Sequence, residues 1–143
     1  MIASGVMAQA AGLRMSVMIL LGLGGVEHSR THAEQTAAAL NQMQPRLLSS
    51  LRMIPVPGTE IHEQVSSGMF RQLTEWDVVR ELRDIIEKSE LQSTVFRANH
   101  SSNVAMLEGR LSRDKSRLLA ELNSLLASGE LDRDSPGTMP FML

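Results

Sequence analysis

Cysteine and tyrosine are absent from the 143 residues, and the other aromatic side chains amount to three Phe and one Trp. Without a thiol the chain forms no disulfide, offers no thiol nucleophile, and holds neither zinc nor an iron–sulfur cluster through sulfur. So few aromatic rings leave little on which nucleic-acid bases can stack. Charge of one sign is lacking as well. The 14 Lys and Arg stand against 16 Asp and Glu, a formal net charge of −2, which draws the chain to neither nucleic acid nor an anionic membrane surface. The apolar run Val17–Leu21 falls far short of the about 20 residues that a membrane span needs. The first basic residue, Arg14, has no charged leader ahead of it, unlike the start of a secretory signal. We therefore expect a cytoplasmic protein with no membrane or nucleic-acid partner.

What is present supports one globular domain's worth of core. Hydrophobic residues make up 43% of the chain and charged residues 21%, ordinary globular usage. Core volume has to come from Leu, Ile, Val and ten Met, and Met adapts to irregular gaps. Residues 2–11 are small and apolar, ending at Gly12 like the tail of a helix. "RMSVMILL" (14–21) is nearly continuous in apolar residues, as a strand covered on both faces would be. After the glycines at 22–25, Ser29 is placed to cap a helix with Ala33, Ala37, Leu40 and Met43 as its stripe, ended by Pro45. "RLLSSLRMI" (46–54) is the next strand, leading into the turn at Pro57-Gly58. Strand, helix and strand in close succession form a βαβ unit with parallel strands.

Further along, Thr74 and Asp77 form a capping box before Val78, Val79, Leu82, Ile85 and Ile86. "STVFRAN" (93–99) is a short strand-like run. Ser112 then caps a helix with Leu118, Leu119, Leu122, Leu125 and Leu126 on one face, stopped by Gly129. The expected class is α/β, a partial parallel β/α barrel followed by a mostly helical C-terminal extension. Residues 1–70 would be the barrel part, 71–130 the extension and 131–143 a flexible tail. A single βαβ unit leaves both strands with unpaired edges, so we read the chain as part of something larger.

Four stretches hold candidate site residues. Gly22-Leu23-Gly24-Gly25 ends a strand and opens a helix, where backbone N–H groups either turn the chain or approach a ligand. It is not the dinucleotide fingerprint, because Glu27 stands where the third glycine belongs, and it is not a P-loop. His28 and His32 lie four apart but lack the Glu of a zinc protease, so two solvated histidines are expected and no metal site. Pro57, Gly58 and Thr59 end the second strand, on the rim where parallel α/β folds bind ligands. "FRANHSSN" (96–103) gathers Arg97, Asn99, His100 and Asn103, side chains suited to a polar or anionic ligand. No catalytic residue is assigned.

"SVMILLGLGGVEHSRTHAEQTAAALNQMQP" followed by "LRMIPVPGTEIHEQVSSGMF" resembles the C-terminal portion of a radical S-adenosylmethionine (SAM) barrel. It is most similar to members grouped with oxygen-independent coproporphyrinogen oxidase. In these a strand ends in G-[LF]-P-G-E-T and, after a helix, another ends in P-G-T; here they are Gly22–Glu27 and Pro57-Gly58-Thr59. "TVFRANHSSN" and "LEGRLSRDKSRLLAEL" resemble the C-terminal extension of one bacterial subgroup. The resemblance implies that Leu20, Gly22, Gly24 and Gly25, with Pro57, Gly58 and Thr59, border the SAM cleft. Arg97, Asn99, His100 and Asn103 would then face a small-molecule substrate. It also implies SAM and a [4Fe–4S] cluster for the intact protein. The cluster motif C-x-x-x-C-x-x-C has no counterpart here, so we expect this chain to bind no cofactor alone and to be inactive alone. Its partner would be the N-terminal half or a separate cluster-bearing chain, which this chain would complement as a subunit. The alternative is a stand-alone small-ligand or protein-interaction module.

Overall fold

A computed structural model of the chain describes residues 1–137. Helix α1 (Ile2–Ala10) precedes strand β1 (Ser16–Leu21), and helix α2 (Gly25–Met43) leads to β2 (Leu47–Arg52). A short α3 (Glu60–Ser66) and the long α4 (Glu75–Lys88) follow, then β3 (Val95–Arg97), β4 (Glu108–Arg110) and α5 (Leu111–Ala127). The strands form one open sheet in the order β1-β2-β3-β4, parallel through β3 and antiparallel at β4. The architecture is thus mixed α/β with an open sheet and not a closed barrel.

Alternation along the strands decides which face is covered. Ile19 and Leu21 of β1, Leu48, Ser50 and Arg52 of β2, and Phe96 of β3 are buried. In register, Ile19 stands beside Ser50, Leu21 beside Arg52 and Leu48 beside Phe96, so these residues share the face beneath the helices. Met18 and Leu20 point the other way and are 64% and 39% exposed. β1 was expected to be covered on both faces, but helices lie on one side only.

The helices present stripes to that face. In α2 the stripe runs Gly25, Ser29, Ala33, Ala37, Leu40, Met43, and in α4 it takes Val78, Val79, Glu81, Leu82, Ile85 and Ile86. α4 packs on α2, α5 packs on α4, and residues of both halves of the chain enter one hydrophobic cluster. α2 begins at Gly25, four residues before the expected cap at Ser29. Gly25 N–H donates to Gly22 and His28 N–H to Gly24, so helical bonding starts directly from the glycine turn. The Thr74 cap forms as expected, its hydroxyl oxygen accepting from Asp77 N–H at 3.1 Å. α5 starts at Leu111, where Asp114 and not Ser112 supplies the cap, accepting from Arg110 N–H at 2.8 Å. Arg113 and this N–H hold the Asp114 carboxyl down to about 2.

Residues 131–137 belong to the stretch expected as a flexible tail, whose remainder (138–143) lies outside the described residues. They form a strap over the start of α4. Glu75 N–H donates to Ser135 and Trp76 N–H to Asp132, so the strap satisfies backbone donors that a helix start leaves open. Trp76 lies between the guanidinium groups of Arg80 and Arg133, 5.1 and 4.6 Å from the ring centre. Asp132 accepts from the Ser135 hydroxyl at 2.5 Å and from the N–H groups of Asp134 and Ser135. These donors, the hydroxyl first, hold its carboxyl below the usual 3.8. A carboxyl lowered on folding contributes fully above its unfolded value, and the contribution is lost as the pH falls from there through the lowered folded-state value. Acidification below about pH 4 should therefore release the strap before the helices melt. Trp76 is the single tryptophan, so its fluorescence should move ahead of the far-ultraviolet helix signal, and Asp132→Asn should show the moved value already at neutral pH. Coincident acid transitions of the two signals would contradict this.

Candidate functional site

The glycine loop answers its own backbone with an internal anion. Gly22 and Gly25 adopt φ of +83° and +59°, which a side chain rarely tolerates. A Cβ on Gly25 would lie 3.0 Å from the Arg71 carbonyl and 3.1 Å from the Phe70 ring. The segment 70–71 therefore lies tight on the loop, with Val26 N–H donating to Arg71 and the Arg71 guanidinium 2.7 Å from Glu27. That guanidinium lowers the Glu27 carboxyl from its usual value. A Cβ on Gly24 would meet the His28 backbone and His32 Cβ at 3.1 Å, so this glycine permits close approach to the first turns of α2.

Gly22 N–H donates to Glu81 Oε1 at 2.8 Å. Glu81 reaches the loop from α4, and its side chain is fully buried. Its other oxygen accepts from the Ser29 hydroxyl at 2.5 Å, and His32 Nδ1 lies 3.1 Å from Oε1. Three donors from two elements thus surround one carboxylate, which is how a buried charge is made tolerable. A carboxylate oxygen accepts, so the hydrogen of this contact sits on His32 Nδ1 and Nε2 is the ring nitrogen turned away from Glu81. One N–H of the glycine loop is thus committed to the protein's own carboxylate and does not face a ligand.

The second rim is built at the carboxyl ends of β2 and β3. β3 pairs with β2 only as far as Ser49, so Ser50–Arg52, paired with β1 on one side, have no strand beside them on the other. Loop side chains serve instead. Asn103 Nδ2 donates to the Ser50 carbonyl at 2.7 Å and to the Ala98 carbonyl at 3.0 Å. Ser102 Oγ accepts from Arg52 N–H at 3.3 Å, and His100 Nδ1 accepts from Ser102 N–H at 3.2 Å. With that nitrogen also 2.9 Å from Ser102 Oγ, Nε2 of His100 is the ring's protonated nitrogen. Arg52 itself is buried, donating to the Pro136 carbonyl of the strap; burial lowers its guanidinium and Glu75 opposes that shift.

The candidate residues fall into three places. Leu20 and His100 share a depression of about 220 Å³ with Leu51, Met53, Ile54 and Ser102. Asn99 is exposed beside it and Asn103 holds the end of β2. Arg97, exposed, stands in register with Glu108 on β4. Gly22, Gly24 and Gly25 form the turn around Glu81, and Pro57 and Gly58 precede Thr59, which caps α3 by accepting from His62 N–H. His28 is exposed, and among the described residues no group of three His, Asp or Glu is placed to hold a metal. No helix of the described residues is long and apolar enough to cross a membrane. Glu81 escaped the sequence reading, although a carboxylate set between Val78, Leu82 and Ile85 on an apolar helical face is a visible anomaly.

Glu81→Leu should cost about 3 kcal/mol or more, because three buried donors lose their acceptor together. Ser29→Ala, which removes one of them, should cost about 1 kcal/mol. Urea unfolding of both variants tests the ranking, and equal losses would mean that Glu81 is not the shared acceptor. No family model, curated protein or solved structure matches the chain, so its function has to be read from its residues and their geometry.

Proposed function

We propose that the chain forms the far wall of the cleft in a radical SAM-type β/α barrel and is inactive without the rest of that barrel. One observation carries this: the parallel strands are covered by helices on one face, while the other face is bare and apolar along the free edge of β1. Met18 and Leu20 are exposed there, and an apolar, unpaired edge strand is a surface that another strand normally covers. The β1 edge would continue the barrel, and the bare face would become its interior.

Within such a cleft Leu20, beside His100, offers apolar contact near the strand ends where ligands of parallel folds gather. His100 presents Nε2–H as a donor, fixed by Ser102. Asn103 shapes the rim and does not reach outward with its amide nitrogen, which is committed to Ser50 and Ala98. The [4Fe–4S] cluster does not fit this chain, whose sequence holds no cysteine. No electron-transfer step is therefore assigned to its residues, and the reducing centre belongs to the partner half.

The test is 5′-deoxyadenosine formation from SAM under reducing conditions. The chain alone should give none. Joined to the polypeptide encoded immediately upstream, it should give product, and Leu20→Arg in that longer protein should lower the yield at least about tenfold, the scale of a buried charge set against a ligand. An upstream polypeptide without the three clustered cysteines, or product formation by this chain alone, would overturn the proposal.

A further inference from the structure

His32 is the meeting point of two features that the barrel proposal does not use. Its Nδ1 is locked on the buried Glu81, while Nε2 has no partner among the described residues. The ring, with its side chain 20% exposed, lines a groove of about 550 Å³ between α1, β1 and α2. The groove is overwhelmingly apolar, with Met15, Val17, Leu40 and Met43 among its walls, and it is a volume typical of small-molecule sites.

The walls are held in place. Gln9 of α1 donates to the Met43 carbonyl at the end of α2. Gly5 lets α1 approach closely, since a Cβ there would lie 3.0 Å from Met15 Sδ and 3.2 Å from Met43 Sδ. Thioether side chains on both sides can adjust to a ligand's outline. The polar requirement is narrow. In the neutral ring Nε2 accepts a hydrogen bond, and the carboxylate behind Nδ1 strengthens it as an acceptor. An anionic head would bring a second negative charge toward Glu81, and a cationic head would find the carboxylate oxygens already taken by Gly22, Ser29 and His32.

We propose that this groove binds a small neutral, apolar molecule carrying one hydroxyl group, with the body among the Met and Leu side chains and the O–H on His32 Nε2. The pair Glu81–His32 then acts as a recognition device: the carboxylate fixes the tautomer and the imidazole selects the donor. The site stands on α1, β1 and α2 of this chain; Met18 and Leu20, which the barrel proposal sets against a neighbouring strand, also line it, so the site is argued for the chain by itself.

The experiment follows the His32 ring and the methionine methyl groups by nuclear magnetic resonance in the full chain, titrated with 4-propylphenol, propylbenzene and 4-propylbenzoate. The phenol should shift both sets of signals saturably, and the hydrocarbon and the benzoate should each bind about tenfold more weakly, the scale of one hydrogen bond to a strong acceptor. His32→Leu should bind phenol and hydrocarbon alike while the methionine methyl shifts persist. Equal affinity of the unaltered chain for phenol and hydrocarbon, tighter binding of the benzoate, or no saturable methyl shift with any of the three would overturn it. The three-probe comparison on the unaltered chain decides the matter even where the variant fails to fold, and it needs no upstream polypeptide, so its failure is separate from a failure of the barrel proposal.

Discussion

One carboxylate fixes how the first half of the chain meets the second. Glu81 projects from α4 into a fully buried position, and there it accepts from the glycine turn after β1 and from two residues of α2. A buried charge with three donors is tolerable, and with none it is not. α4 can therefore slide or rotate little relative to α2 without separating the carboxylate from its donors. The apolar neighbours on the α4 stripe supply most of the burial, but they would accept several registers. The hydrogen bonds select one of them. From that register follows the position of segment 70–71 over Gly25, and with it the glycine requirement there.

The sheet shows the same dependence on replaced partners. Parallel pairing leaves backbone groups open wherever a neighbour stops early, and β3 stops three residues into β2. The polar run 99–103 lies where those groups need partners. Asn103 and Ser102 are consumed in closing the end of β2, which leaves Asn99, His100 and Ser101 exposed. A dense cluster of hydrogen-bonding residues thus serves the scaffold first, and only its remainder is available to a ligand. Among the described residues no strand pairs with the outer edge of β1, where Met18 and Leu20 stand exposed.

Much of this was legible in the sequence because it is periodic. The stripe Ala33–Ala37–Leu40–Met43 and the Thr74–Asp77 cap follow from local spacing, and the strands around Leu48 and Phe96 from short apolar runs, whereas the burial of Ser50 and Arg52 in β2 does not. What escaped depends on distant partners. Ser29 has the chemistry of a cap, yet in the fold its hydroxyl meets a residue 52 positions away. β4 consists of Glu-Gly-Arg, without strand-like composition, and exists because β3 offers it an edge. The strap at 131–137 has no period of its own, and its order comes from Trp76 and the open donors of α4. Residues 60–66, a single short helix, carry only Ile61 and Val65 as apolar side chains, both half-buried, and have no fully buried residue.

The two ligand proposals meet at β1, whose Leu20 lines both the depression beside His100 and the groove beside His32. On the bare face, Leu20 and His100 meet at the carboxyl ends of the strands, where the geometry asks for something apolar beside a fixed donor. On the helical face, His32 offers a fixed acceptor above a sealed anion. The opposite hydrogen-bonding roles of the two histidines come from their neighbours: a serine that donates to Nδ1 in one case, a carboxylate that accepts from it in the other. Glu81 takes the Gly22 N–H, the Gly22 carbonyl takes the Gly25 N–H and the Arg71 carbonyl takes the Val26 N–H, so the turn is largely satisfied from within the chain. Specificity on either side must then rest on shape and on one directed hydrogen bond, so discrimination between ligands of the same outline should be about tenfold per site and not larger.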